Sequence, residues 1–157
     1  MDDKIIVTNK EAIIPTHKAD HDLYEYRKYK VTSSEDSGQC YVAFYEIPPH
    51  KYNYPYHYHI SNTEVFYIIS GIGVLETPEG NRNITTGDVI VCPPTKQSAH
   101  RIQNVSDTQP LVYIDVDTTR FPDIVHYPHS GKTGIIMSSE PSVFFQDNSN
   151  VDYYDGE

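Results

Sequence analysis

The chain predicts an all-β domain, a sandwich or barrel of short strands, and three observations carry that reading. Short apolar and β-branched runs recur between turn residues through residues 40–117. No long segment shows the 3.6-residue apolar period of an amphipathic helix. Tyrosine is over-used, at 14 residues, while tryptophan is absent, and tyrosine suits the half-buried face of a pleated sheet.

The elements follow in order. Residues 1–39 read as a polar, irregular N-terminal extension closing on the turn-like Ser33-Ser34-Glu35-Asp36-Ser37-Gly38. Tyr41 to Ile47 reads as a strand stopped by Pro48-Pro49, since proline lacks the N–H a ladder needs. Tyr56 to Ile60 and Glu64 to Ile69 follow, then a turn at Ser70-Gly71 and a strand from Ile72 to Glu76. Pro78-Glu79-Gly80 turns the chain into Arg82 to Thr85, and Thr86-Gly87-Asp88 turns it into Val89 to Cys92. After Pro93-Pro94, Ala99 to Gln103 and Leu111 to Val116 complete the barrel core, residues 40–117. On that last strand the apolar set Val112, Ile114 and Val116 is expected to face inwards, away from Tyr113 and Asp115. Residues 118–157 read as an irregular, acid-ended C-terminal extension packed on or trailing the barrel.

Composition narrows the function. At 157 residues the chain fits one domain, able to bury roughly 68–70% of its unfolded surface. A net charge of −10 without a basic run argues against nucleic acid or an anionic membrane as partner. Cys40 and Cys92 make no disulfide framework, and Cys92 reads as a small buried hydrophobe. Ile5-Ile6-Val7 is too short for a signal sequence and Val65 to Ile69 too short for a membrane span, so a cytoplasmic location is expected. Gly131-Lys132-Thr133 lacks the glycine a phosphate loop needs five positions earlier, where His126 stands.

The chemistry concentrates at His57-Tyr58-His59. Side chains two apart on a strand share a face, so both imidazoles point one way. Glu64 opens the next strand after a short loop, and His100 lies on a third. Three neutral imidazoles and one carboxylate suit a divalent transition metal, and a six-coordinate ion held by four ligands keeps two positions open. Phe66, Ile68 and Ile102 follow these ligands on their strand faces and are expected to line an apolar pocket. Glu46 is a further candidate there, as an acid or base facing the barrel interior, weighed against a solvated strand end. Of the alternating tyrosines, Tyr52 and Tyr54 are expected to cover the outer sheet, and Tyr56 and Tyr58 to join a subunit interface. His17, His21, His50, His126 and His129 lack ligand spacing.

These residues resemble the cupin superfamily. Its first motif runs from a glycine through His-x-His and Glu to a second glycine. His57, His59, Glu64 and Gly71 match it, with Lys51 in place of the leading glycine. Its second motif is matched by Gly87, Pro93, His100 and Asn104, with two extra residues and no internal glycine between Pro93 and His100, which a longer turn would absorb. The resemblance covers residues 51–104 by motif. The tail, Asp123 to Lys132 and Val151 to Glu157, is similar to that of small single-domain bacterial cupins.

The resemblance implies a double-stranded β-helix, a small jelly-roll barrel, with one divalent metal ion (Fe, Mn, Ni or Zn) held by His57, His59, Glu64 and His100 at one end, and a homodimer. For function it implies a metalloenzyme on a small organic acid, sugar or aromatic molecule, of dioxygenase, isomerase or decarboxylase type. The alternative is a non-catalytic small-molecule-binding or sensor protein on the same barrel.

Overall fold

The computed structural model of the chain describes residues 5–32 and 39–157; the turn expected at Ser33–Gly38 lies outside the described residues. Thirteen strands are present among the described residues: β1 (Thr16–His21), β2 (Tyr24–Lys30), β3 (Cys40–Ile47), β4 (Tyr58–His59), β5 (Glu64–Ser70), β6 (Ile72–Thr77), β7 (Gly80–Thr85), β8 (Val89–Cys92), β9 (Arg101–Asn104), β10 (Leu111–Thr118), β11 (Asp123–Tyr127), β12 (Lys132–Ile136) and β13 (Val143–Gln146). The only helical elements among these residues are two 3-10 turns, Lys10–Ala12 and Lys96–Ser98. No described helix is long and apolar enough to cross a membrane.

Two layers face one another. One is a six-stranded antiparallel sheet in the order β1-β2-β3-β10-β5-β8. The other joins β13-β12-β11-β4 to β9-β6-β7 through the His57–His100 bridge. Strands far apart in sequence pair across the molecule, β3 with β10 and β6 with β9, which is the all-β double-stranded β-helix expected.

The alternation seen in the sequence is realised as burial. On β3, Ala43, Tyr45 and Ile47 point inwards, and on β5, Phe66 and Ile68 do. With Leu75, Ile84, Cys92, Ile102, Leu111 and Tyr113 they form one core. Aromatic pairs lock it: Tyr45 stacks on Tyr113 at 5.3 Å and Phe66 meets Tyr113 edge-on at 5.5 Å.

The flanking segments differ from the irregular extensions expected. β1 and β2 form a hairpin that continues the large sheet through β3, and β11–β13 pair on β4. Their residues alternate too weakly in hydrophobicity to announce strands, because β1 is exposed along its whole length and β13 likewise. Backbone pairing to a neighbouring strand, rather than an apolar face of their own, sets their structure.

Gly71 joins β5 to β6 with φ +95°, and a Cβ there would stand 2.7 Å from the Pro110 carbonyl oxygen. Gly87 is also left-handed, at φ +94°, but nothing lies within 4 Å of its absent Cβ. Gly87→Ala is therefore expected to cost only the left-handed penalty of about 1–2 kcal/mol. Gly71→Ala adds a backbone clash and should cost more. Urea denaturation of the two variants checks the order.

Candidate metal centre

His57, His59, Glu64 and His100 come together. His57 and His100 face each other as an antiparallel pair, with His57 N donating to His100 O at 3.0 Å and His100 N to His57 O at 2.8 Å. The extra residues before His100 form the longer turn expected: they coil into the 3-10 turn Lys96–Ser98, whose Ser98 Oγ donates to the carbonyls of Thr95 and Pro93. Glu64 opens β5 between Asp117 of β10 and Cys92 of β8.

Each imidazole is aimed by its other nitrogen. His57 Nδ1 donates to the Pro55 carbonyl at 2.8 Å, His100 Nδ1 to the Ser98 carbonyl at 2.9 Å, and His59 Nδ1 to Asp123 Oδ2 at 2.5 Å. All three acceptors fix the proton on Nδ1, so the three Nε2 atoms are left for the centre. They converge on one carboxylate: His57 and His59 Nε2 lie 3.6 and 3.5 Å from Glu64 Oε1, and His100 Nε2 lies 3.3 Å from Oε2. Ligand atoms at ordinary metal distances from a shared ion stand about 3.0–3.4 Å apart. His100 is 1% exposed, and its Nε2 is buried with no hydrogen-bond partner. The ligand atoms of His57, His59 and Glu64 lie within 4.8 Å of one another and could hold a divalent cation. His100 stands outside that group, and its orphaned nitrogen, 3.3 Å from Glu64 Oε2, would be satisfied by an ion shared with Glu64.

Asp123 is the residue that sequence reasoning missed. Its carboxylate also accepts from Ser61 N at 3.0 Å and Asn62 Nδ2 at 2.8 Å, which holds its pKa below the ordinary carboxylate value despite burial. No local pattern marks it, because it lies far along the chain from His59 and meets it only through β11–β4 pairing.

The electrostatics diverge within the cluster. Burial pushes His59 down, but its hydrogen bonds to Asp123 and Glu64 outweigh this and raise it to about 10. Burial dominates at His100 and lowers it to about 4, against the attraction of Glu64. Burial opposes the ionisation of Glu64, yet the His57 charge and the surrounding imidazole contacts hold its pKa well below the usual carboxylate range.

The cluster opens on a cavity of about 510 Å³ lined by His57, His59 and Glu64. His100 lies outside this lining and borders a separate hollow with Cys92, Pro93 and Ala99. The rest of the lining carries Tyr26, Tyr41, Tyr45, Tyr54 and Tyr127 with Lys28, Lys30, Asp115 and Asp117. Three expectations are corrected here. Phe66, Ile68 and Ile102 are sealed in the core and line none of this cavity; Phe66 instead packs edge-on under the His100 ring at 5.5 Å. Glu46 lies outside, accepting from Tyr29 Oη at 2.9 Å and pairing with Lys10 at 2.8 Å. The inward face of β10 is Tyr113 and Asp115, with Val112 and Ile114 half-buried behind. The rule that apolar residues face inwards fails on β10 because this strand borders a cavity into which Asp115 and Asp117 bring carboxyl groups among aromatic and apolar side chains.

The tyrosines also depart from expectation. Tyr54 belongs to the cavity wall, bonded to Tyr45 Oη at 2.6 Å. Tyr56 and Tyr58 stack within the chain on His129 at 4.3 Å and on His126 at 5.0 Å, so those faces are taken up internally.

Residues 43–117 match the family model of the cupin domain, so the chain carries a cupin domain over those residues. No curated protein sequence matches it. Its fold is similar to that of a proposed sugar phosphate isomerase from Acidithiobacillus ferrooxidans, at 22% identity over 90% of each chain, TM-score 0.78. A sugar phosphate isomerase of the cupin superfamily from Silicibacter pomeroyi is similar at 18% identity over 92% of this chain and 96% of that one, TM-score 0.75. A proposed oxalate decarboxylase from Thermotoga maritima shares 21% identity over 73% of this chain and 99% of that one, TM-score 0.62.

The two shifted histidines give opposite pH signatures in the metal-free protein. His59, raised from 6.5, stabilises the fold below pH 6.5 and loses that contribution as pH climbs through about 10. His100, lowered from 6.5, contributes above pH 6.5 and loses it as pH falls through about 4. Imidazole nitrogen NMR is expected to show His59 protonated at pH 8 and His100 neutral at pH 5. Asp123→Asn should bring the His59 titration down towards its ordinary value.

Proposed function

We propose that the chain is a divalent-metal enzyme that moves protons on a small, oxygen-rich molecule, with His57, His59, Glu64 and His100 holding the ion. The observation that carries this is the convergence of three Nδ1-anchored imidazoles on the Glu64 carboxylate, with His57, His59 and Glu64 lining a cavity of about 510 Å³. A bound ion would supply Lewis acidity towards ligand oxygens at its open positions.

The chain's own residues supply acid and base. Asp115 and Asp117 face the cavity two residues apart on β10. Burial, the Asp117 charge and Glu64 push Asp115 well above the ordinary carboxylate range. Burial and Glu64 raise Asp117 to about 7. One carboxyl that keeps its proton beside another that titrates near neutrality is the arrangement for giving and taking a proton at one site. This favours isomerisation, in which a proton leaves one carbon and returns to its neighbour, and it agrees with the description of two similar structures as sugar phosphate isomerases.

Metal content of protein purified from its own host, followed by a carbonyl-migration assay on aldoses, ketoses and their phosphates, tests the reading. Turnover that is lost on chelation and restored by metal supports it. Closed four-coordinate zinc with no turnover would leave the binding-module alternative instead.

Alanine at any one of His57, His59, Glu64 or His100 is expected to abolish stoichiometric metal retention, read by elemental analysis after dialysis. Asp123→Asn should weaken metal affinity by about 10–100-fold. Because His59 is protonated at neutral pH, metal binding should release about one proton, measured by calorimetry in buffers of different ionisation enthalpy. Equal heats across those buffers would contradict the ligand role of His59.

A further inference from the structure

Among the described residues, five side-chain atoms are buried without a hydrogen-bond partner. One is His100 Nε2, in the cluster. The other four are Tyr41 Oη, Asp115 Oδ1, Asp117 Oδ1 and Thr119 Oγ1, and all four residues line the same cavity. Buried polar atoms are almost always paired, so four orphans on the wall of one cavity mark a surface built for a partner the chain does not itself supply.

The chemistry of that wall is specific. Asp115, 3% exposed, and Asp117 offer acceptors, and Tyr41 and Thr119 offer hydroxyls that both give and take. Asp117 stands opposite Glu64 in the β10–β5 register, so this wall adjoins the metal cluster and one small molecule can reach both. Lys28 and Lys30 are the lysines on the lining; the Lys28 ammonium lies 4.9 Å above the Tyr41 ring and 5.6 Å from that of Tyr45, while Lys30 is exposed and so marks the rim.

We propose that Tyr41, Asp115, Asp117 and Thr119 form a hydroxyl-binding wall that selects a polyhydroxylated ligand, a sugar or sugar phosphate, and rejects dicarboxylates. This rests on the metal-enzyme reading above and names its substrate class. A sugar hydroxyl donates to the Asp115 and Asp117 oxygens while accepting from Tyr41 or Thr119, so one vicinal pair of hydroxyls serves several orphans. A dicarboxylate brings acceptors alone, so it leaves the Asp117 acceptor unmatched and sets negative charge beside that carboxyl group in a low-dielectric cavity. Where the sugar carries a phosphate, Lys28 and Lys30 are the cations in reach of it.

Calorimetry on the full chain tests the proposal in separable steps. Mn²⁺ is titrated alone first, then ribose, ribose 5-phosphate, glucose, glucose 6-phosphate and succinate, each with and without Mn²⁺. At least one of the four carbohydrates is expected to bind about tenfold or more tighter than succinate. Asp115→Asn/Asp117→Asn should lower that affinity about tenfold and improve succinate binding, with Mn²⁺ affinity nearly unchanged. A sugar phosphate preference that Lys28→Ala/Lys30→Ala erases places the phosphate at the rim, and equal binding of free and phosphorylated forms makes the neutral sugar the ligand; both support the wall. Succinate binding as well as the carbohydrates, or no carbohydrate binding at all, overturns it. So does unchanged sugar affinity in the folded double variant, with Asp117→Asn alone as the milder check should the double variant fail to fold by circular dichroism. Loss of Mn²⁺ binding with sugar selectivity intact would sink the metal reading and leave the wall standing.

Discussion

The site depends on one constraint: every imidazole must present Nε2, and so every Nδ1 must find an acceptor. Pro55, Ser98 and Asp123 provide them. Two are backbone carbonyls two residues from the histidine they serve, which makes the local chain path part of the ligand design. A carbonyl can only accept, so the tautomer follows from the fold and needs no side-chain partner. The third is a carboxylate from a distant strand, and it makes His59 far more basic than His100. Similar residues thus arrive at the centre with unlike proton affinities because their surroundings differ.

A second consequence concerns where burial goes. The barrel is sealed on one side by Phe66, Ile68 and Ile102 and left open on the other, towards Tyr45, Tyr54 and Asp115. Filling the first region with apolar side chains gives the metal cluster a rigid back, since close-packed interiors resist displacement. The second region carries charge that an apolar core would not tolerate. Lys28, its pKa lowered by burial, and the raised carboxyls of β10 answer the same desolvation in opposite directions. Both shifts reduce the net charge held inside.

How much of this the sequence discloses follows from what is local. The strand alternation, the turns at Gly71 and Gly87, and the four candidate ligands are legible because period-2 patterning and short motif spacings act over neighbouring residues. The lining of the cavity is not. Placing Phe66 and Ile68 beside the metal assumed that residues following a ligand on its face share its surroundings, whereas the face passes from cavity to core within two residues of Glu64. Asp123 and Lys28 reach the site from segments that read as irregular, through strand pairing that no local pattern encodes. Asp115 and Asp117 did leave a trace, for they repeat on β10 the two-residue spacing of His57 and His59. That trace was outweighed by the flanking valines.

The flanking strands therefore belong to the site's chemistry as much as to its framework. A barrel limited to β3–β10 would keep the four candidate ligands yet lose the acceptor of His59, the tyrosine that stacks on His57 at 5.9 Å (Tyr127), and the lysines of the cavity rim. Such a barrel could hold an ion with less control over ligand orientation and with one wall open to water. Bringing β2 to one side and β11 and β12 to the other turns an exposed cluster into a partly open cavity lined by aromatic rings and a few charged groups. The low-dielectric walls these strands add strengthen each charge beside them. The segments outside the matched domain accordingly add to what that domain carries: Asp123 aims His59, and Lys28, Lys30 and Tyr127 complete the cavity lining.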